Sequence, residues 1–315
     1  MKNKVVVVGS YNTDLTIKTK RIPRPGETVL GGKFFQGGGG KGANQAVACA
    51  RAGGCVTFLA RIGNDALGEG AVKRLMAEGI ATHRIVRDEQ YPTGVAFILV
   101  EEQGENSIVV ASGANVRLSA GDIEKAKEEI ASAGVILLQL ECPLETVQHA
   151  IHLAHQSGAL VILNPAPADQ LNGLSFCEVD ILTPNRVEAE MLAGAKITDE
   201  ASLAGIAQKI LDLGAGNVLI TLGSKGVFAA SRDAMNLLPA LEVQAIDSTG
   251  AGDIFSGSLA AFLAEGKSID QSVMMAMAAA SISVTRLGAQ SSAPLRAEIE
   301  CLISSQSISK AEASN

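Results

Sequence analysis

The 315-residue chain has no tryptophan, two tyrosines and eight phenylalanines, so its core must be filled by Val, Ile, Leu, Ala and Met. That is usual where helices cover a parallel sheet. Proline is scarce at nine residues against 33 glycines, and 47% of the chain is hydrophobic, which excludes collagen-like and disordered readings and leaves one or two globular domains. Five cysteines (Cys49, Cys55, Cys142, Cys177, Cys301) stand singly with no Cys-x-x-Cys pair. Neither a zinc site nor a disulfide framework is indicated, and a reducing cytosol fits. No apolar stretch approaches the ~20 uncharged residues of a membrane span. The apolar run 5–8 is too brief for a secretory signal and lacks a small-residue cleavage site after it. The expectation is a soluble cytoplasmic protein without a membrane partner. Lys and Arg number 26 against 33 Asp and Glu, a net charge of −7. This repels polyanions at long range and gives nucleic acid no electrostatic footprint, so any anionic ligand must be held locally.

Short apolar runs ending in Gly, Pro or Asn alternate with longer amphipathic stretches, as in successive strand and helix units. Strands are predicted at 5–8, 135–140, 160–163, 180–183 and 218–222, and helices at 43–52, 66–78, 121–133, 144–155, 200–213 and 251–263. Ser119 followed by Asp122 resembles a capping box in front of one of them. The pattern predicts an α/β fold: a doubly wound, mostly parallel sheet with helices on both faces. Two regions break the rhythm. In 15–36, the alternating Leu15, Ile17 and Thr19 precede a turn at Pro23-Arg24-Pro25-Gly26 and a second run, 28–35. Runs 93–100 and 107–111 flank a polar turn at 101–106, a hairpin signature. With no helices between them these strands cannot extend the parallel sheet. They predict a small antiparallel lid or interface formed by 14–37 and 92–113, with 1–13, 38–91 and 114–315 forming the main domain. The Ser- and Ala-rich tail after Ser304 is expected to fray.

The sharpest chemical signal is Asp247-Ser-Thr-Gly-Ala-Gly-Asp253, between the apolar run 243–246 and a helical stretch. Two glycines let backbone N–H groups converge, and a helix start adds partial positive charge, which makes the segment a candidate anion hole. An Asp at a helix start is often a simple cap. Beside an anion hole, however, Asp253 can accept the proton of a hydroxyl that attacks a phosphoryl group. A second glycine cluster, Gly37-Gly-Gly-Gly-Lys-Gly-Ala-Asn44, also enters a helix. It satisfies G-x-G-x-x-G formally but lies far downstream of the first strand, and Gly42 after Lys41 breaks the P-loop pattern. A flexible turn is the plain alternative. Lys41 and Asn44 nevertheless set a cation and an amide beside close-approach backbone, which suits polyhydroxyl or phosphate recognition.

These two segments resemble the N- and C-terminal signatures of the ribokinase-like (phosphofructokinase-B) carbohydrate and nucleoside kinase family, and the resemblance runs from about Lys4 to Pro294. Further ordered matches, narrower within the family, are Gly9-Ser-Tyr-Asn-Thr-Asp14, Pro25-Gly-Glu-Thr28, Leu138-Gln-Leu-Glu141, Asn164-Pro-Ala-Pro-Ala168, Thr183-Pro-Asn-Arg-Val-Glu188, Thr221-Leu-Gly-Ser-Lys-Gly226 and Arg286-Leu-Gly-Ala-Gln290. The resemblance implies an ATP-dependent sugar kinase acting on the 5-hydroxyl of D-ribose or a similar small sugar. Asp253 would be its general base, and Gly250, Ala251 and Gly252 its anion hole. Asn12, Asp14, Gly40, Lys41, Asn44 and Glu141 would hold the sugar, together with Asp253. Asn185, Thr221, Gly223, Ser224, Gly226 and Gly252 would line the ATP site, at the usual ligand edge of an open α/β sheet. Glu188 would position Mg²⁺, through water because that ion dehydrates reluctantly. An activating monovalent cation, K⁺, would sit at Asp247, Thr249, Ser283, Arg286, Gly288 and Ser292, mostly on backbone oxygens and without the Arg286 side chain. A homodimer through the β lid is implied as well.

Related kinases acting on deoxyribose, fructose or adenosine, a silent sugar-binding protein of the same fold, and an NAD-dependent oxidoreductase remain the alternatives. Family members commonly carry a polar His or Asn where Met277 falls. Methionine can pack on a base but cannot read its edge, which leaves preference for ATP over other nucleotides open. His149, His152 and His155 are spaced i, i+3 and i+6, which sets the outer two about 120° apart on a helix, so a solvated face is expected rather than a metal site. His83 has no recognisable partner. Cys49 reads as core packing, not as a nucleophile.

Overall fold

The computed structural model describes residues 3–103, 105–168, 171 and 173–313, with the side chains of 306–313 excepted. The strands are β1 (Lys4–Val8), β2 (Asn12–Thr19), β3 (Lys33–Gly39), β4 (Cys55–Gly63), β5 (Ile85–Asp88), β6 (Gly94–Glu101), β7 (Asn106–Ala111), β8 (Val135–Leu138), β9 (Leu160–Leu163), β10 (Ile181–Leu182), β11 (Asn217–Thr221), β12 (Val227–Ser231) and β13 (Met235–Leu238). The helices are α1 (Lys41–Arg51), α2 (Ala66–Ala77), α3 (Ala120–Glu124), α4 (Lys127–Ser132), α5 (Leu144–Gln156), α6 (Arg186–Ala193), α7 (Glu200–Asp212), α8 (Ala251–Ala264), α9 (Ile269–Ser283) and α10 (Arg296–Ala313).

Nine strands form the main sheet in the order β13-β12-β11-β10-β9-β8-β1-β4-β5. From β5 to β11 every pairing is parallel, and β12 and β13 close one edge antiparallel. Successive side chains of a strand point to opposite faces. Accordingly Val5 and Val7 join one hydrophobic core and Val6 and Val8 the other. Both faces are covered by helices, which is why these strands read as continuous apolar runs. On one face α1 lies against α8 so closely that a β-carbon at Gly257 would meet the Gln45 carbonyl oxygen at 2.3 Å. The two signature segments are thereby side by side, since each runs into the first turn of one of these helices.

The expected capping box is present: the Ser119 hydroxyl and the Asp122 carboxylate satisfy each other's backbone N–H groups at the start of α3. The helix expected over 121–133 is, however, two short helices. The Ala126 N–H bonds Ile123 O at 2.9 Å, an i to i+3 bond that tightens the turn and ends α3. The tail expected to fray continues α10 as far as Ala313, while Ser314 and Asn315 lie outside the described residues.

The second sheet runs β3-β2-β6-β7. It is built from the two rhythm-breaking regions, but it is not wholly antiparallel. Each region contributes an antiparallel pair, and the pairs join through parallel β2 and β6 because both first strands leave the main sheet in one direction. Gly104, in the turn expected at 101–106, lies outside the described residues. One face of this sheet carries the exposed apolar side chains Ile17, Phe34, Phe97 and Val109, while Phe35 and Ile108 turn to the opposite face, over the cleft between this sheet and the main domain. Among the described residues no helix is long and apolar enough to cross a membrane.

Candidate active site

In a parallel sheet the strand ends converge on one edge, and loops leaving them can bring distant residues together. Here β1 leads to Ser10, β8 to Glu141, β9 to Asn164, β10 to Thr183 and Asn185, and β11 ends at Thr221. At this edge α1 starts from Gly40, whose φ of 86° suits glycine. A β-carbon there would come within 2.8 Å of the Asn12 nitrogen. The first turn of α1 is thus pressed onto the start of the lid strand β2. Glu141 Oε2 accepts from the Lys41 backbone N–H at 2.9 Å and from the Ser10 hydroxyl.

Asn12 is buried and accepts at Oδ1 from Asn115 Nδ2 at 2.9 Å, which leaves its own amide N–H groups as donors. Asn115 also grips the Tyr11 backbone at both N–H and carbonyl. Asp14 packs against Gly39, where a β-carbon would meet its carboxylate at 2.1 Å. Burial, reinforced by the charge of Glu141, pushes the Asp14 carboxyl up to about 6.

Asp253 is buried in the first turn of α8, which starts at Gly250 with φ 75° and no capping side chain. The Ala251 N–H bonds Ser248 O at 3.2 Å, and the next N–H groups of the turn, on Gly252 and Asp253, have no intrahelical acceptor by position. Its carboxylate accepts from Asn44 Nδ2 at 3.1 Å and from Gln45 Nε2 at 3.0 Å. The mostly buried Lys41 ammonium is held in its charged form chiefly by Asp253, which outweighs desolvation, with Glu141 and Glu188 adding to the effect. A cavity of about 730 Å³ opens beyond this point. Its wall includes Lys41, Asn185, Glu188, Thr221, Gly223, Ser224, Gly226, Met277 and Gly250 to Asp253. A cation, an uncapped helix start and a carboxylate therefore face one mostly apolar chamber of nucleotide size. This is the constellation for moving a phosphoryl group between an anion and a hydroxyl.

The sequence profile described as pfkB family carbohydrate kinase matches residues 2–296. The chain belongs to this family of carbohydrate kinases. It is 44% identical over 298 residues to the ribokinase of Haemophilus influenzae, spanning 95% of this chain and 97% of that protein. The crystal structure of the Thermotoga maritima ribokinase superposes with a TM-score of 0.88 at 38% identity, covering 96% of this chain and 99% of that one. The Arabidopsis thaliana ribokinase complexed with ribose and ATP gives 0.86 at 32% identity, with 95% and 98% covered.

The kinase fold distributes the sequence-derived site residues unevenly. Every residue expected to line the nucleotide site lies on the cavity just described. The residues expected to hold the sugar flank it. Lys41 and Asp253 are on its wall, Asp14 is on a neighbouring cleft of about 1070 Å³ beneath the lid, and Asn12, Gly40, Asn44 and Glu141 lie on neither wall. Of the cation set, Asp247, Thr249 and Gly288 are tied together: Asp247 accepts from the Thr249 N–H at 2.9 Å and the Gly288 N–H at 2.8 Å. Burial would raise the Asp247 carboxyl, but these bonds and the Thr249 hydroxyl outweigh it and hold it below the usual range. Ser292 is buried, with its hydroxyl on Ala289 O at 2.8 Å, and Ser283 donates its hydroxyl to Ala280 O. The Arg286 side chain turns away to pair with Glu298.

Glu188 belongs to a capping box. Its oxygens accept from the Asn185 N–H at 2.8 Å and Asn185 Nδ2 at 2.7 Å. Burial pushes its carboxyl up, the Asn185 bond and Lys41 oppose this, and Asp253 adds to it. Among the described residues no group of three acidic, His or Cys side chains could cage a metal. A divalent ion carried by phosphates and reached by Glu188 through water fits this donor set.

Sequence reasoning assigned no role to Gln45, Gln139, Asn115 or Ser256. Gln139 lies inside a matched motif and Gln45 directly follows one, which was the available signal. Asn115 sits in a 3-10 turn with no motif to mark it. Ser256 is visible as a buried polar residue of α8 sharing a hydroxyl contact with Thr183 at 3.1 Å. His149 and His152 pair with Glu124 and Glu178 on an exposed face, as a solvated helix would. His83 pairs with Glu129.

Proposed function

We propose that this chain transfers the γ-phosphoryl group of ATP to the 5-hydroxyl of D-ribose, giving ribose 5-phosphate and ADP. The observation that carries the reading is the Asp253 carboxylate. It lies at the uncapped start of α8, on the wall of the nucleotide cavity, and is bonded to Asn44 from the sugar side. Asp253 takes the proton of the sugar's O5, that oxygen attacks the γ-phosphorus, and the bond from phosphorus to the β-bridging oxygen breaks as ADP leaves. N–H groups at Gly250 to Gly252 receive the charge that develops on the transferring group. Lys41, locked as a cation, balances the same charge. Glu188 would hold Mg²⁺ through water, and the ion would neutralise the nucleotide's phosphates.

On the sugar side, Asn12 offers donors, Asp14 a carboxylate acceptor, and Glu141 an oxygen not used by Ser10 or Lys41. Such a set rejects analogues that leave a buried group unpaired. The lid, 14–37 and 92–113, excludes water during transfer, and its exposed apolar face pairs with a second copy as a homodimer. Asp247, Thr249, Ser283, Arg286, Gly288 and Ser292 would hold K⁺, mostly on backbone oxygens. The free exposed thiols Cys55, Cys177 and Cys301 suit a cytoplasmic setting. The test is an ADP-release assay over ribose, deoxyribose, fructose and adenosine. Strong stimulation by ribose is expected. Turnover with another acceptor and none with ribose would overturn the substrate assignment.

A further inference from the structure

We infer that Gln45, fixed by Asn164 and Gln139, is a positioning residue that holds the Asp253 carboxylate in place for proton abstraction. The inference rests on the reading of Asp253 as the base, and it adds Gln45 and Gln139, which line neither the nucleotide cavity nor the cleft beneath the lid. Gln45 and Gln139 are fully buried and Asn164 is nearly so.

The direction of every bond in this chain follows from one backbone group. The Thr183 carbonyl can only accept, so the Asn164 atom 2.8 Å from it is Nδ2. Asn164 Oδ1 then faces Gln45 at 3.2 Å, which requires Gln45 Nε2 there. The same nitrogen lies 3.0 Å from Asp253 Oδ1, so both its hydrogens are committed. Gln45 Oε1 accepts from Gln139 Nε2 at 2.5 Å. Turning the Gln45 amide over would set its oxygen against a carboxylate and a carbonyl at once. The sequence of amides ends at Gln139 Oε1, a buried acceptor with no partner among the described residues. It is jammed against Gly9, where a β-carbon would lie 2.1 Å from it. An unsatisfied acceptor is costly. It stands at the far end of the chain, and the bond to Asp253 stays satisfied.

With Asn44 Nδ2 on Oδ2, each carboxylate oxygen holds one neutral donor. That fixes the carboxylate plane and leaves other lone pairs to accept a proton. The charged groups facing Asp253 are Lys41 from α1 and Glu188 from α6. Neither belongs to this chain of amides.

The experiment compares Gln45→Met, Gln139→Met, the double variant and Asp253→Asn in full-length protein, by kcat, ribose KM and the pH profile of kcat. Gln45→Met is expected to lower kcat about tenfold with ribose KM changed less than about threefold. The acid limb should move up by about half to one pH unit, because a donor to the carboxylate is lost while Lys41 and Glu188 remain. Gln139→Met should give a smaller change in the same direction, and the double variant should be no worse than Gln45→Met alone. Gln139→Met touches neither Asp253 nor substrate, and it carries the test should packing at Gln45 not tolerate methionine. Unchanged kcat and an unmoved acid limb in both variants, with Asp253→Asn inactive, would overturn this inference and leave the base assignment standing. An active Asp253→Asn would overturn both.

Discussion

Asp14 offers a quantitative handle on sugar binding. Burial and the neighbouring Glu141 push its carboxyl from 3.8 to about 6, while its proposed task is to accept hydrogen bonds from sugar hydroxyls as an anion. With a midpoint near 6, about nine-tenths of the free protein carries the anion at pH 7 and about one-tenth at pH 5. If the anion is the form that binds, the ribose Kd measured calorimetrically without nucleotide weakens about tenfold between pH 7 and pH 5. Omitting ATP keeps Asp253 chemistry and the nucleotide-side Glu188 out of the readout. Asp14→Asn should bind ribose weakly and flatten the pH dependence. The sign for folding is opposite. A carboxyl raised on folding stabilises the native state below its unfolded value near 3.8, and that stabilisation is lost as pH rises through about 6. The ionised group is thus a burden at pH 7, and Asp14→Asn should stabilise the sugar-free protein there by about 1–2 kcal/mol after allowance for solvent screening. A ribose Kd that does not change between pH 5 and 7, or a wild-type slope retained in Asp14→Asn, would refute the reasoning.

Three further outcomes are expected. Gly257→Ala puts a methyl into the backbone of α1, and should cost about 1–3 kcal/mol by denaturant titration while lowering kcat, because α1 and α8 carry Lys41 and Asp253. A wild-type midpoint would show that the helices are free to part. Burial pushes the Cys49 and Cys142 thiols well up, so a thiol reagent should label Cys55, Cys177 and Cys301 in the native protein and the other two after denaturation. Fast labelling of Cys49 would contradict the packing of α1. Met277 lies on the wall of the nucleotide cavity and cannot read a base edge. ATP, GTP and ITP should therefore support turnover within about tenfold in kcat/KM, and a hundredfold preference for ATP would show that other groups read the base.

What the sequence discloses here follows from how locally each feature is encoded. Val5 to Val8, Leu160–Leu163 and the strand ending at Thr221 are buried on both faces, so their apolar runs stand out. The strand Cys55–Gly63 interleaves Thr57 and Arg61 with its apolar residues and was missed. Arg61 is there because it pairs with Asp88 and Asp122, contacts made across the fold and invisible locally. The break at Ala126 within 121–133 has no glycine or proline to announce it, and the parallel junction of β2 with β6 depends on where two insertions leave the main sheet. Asp253, Lys41 and Asn44 sit in glycine-rich helix entries whose backbone demands are legible. Asn115 and Gln139 act through partners about a hundred residues away. Gly257 looks like a helix-weakening residue until the neighbouring helix is in view.

The central claim is that the carboxylate at the start of α8 accepts the proton of the attacking sugar hydroxyl. Its most direct test is the single-turnover rate of Asp253→Asn with ribose and ATP both saturating, and with binding of each confirmed by calorimetry. A fall of about a thousandfold with both ligands still bound is the predicted result; a rate within tenfold of the unaltered enzyme would contradict it.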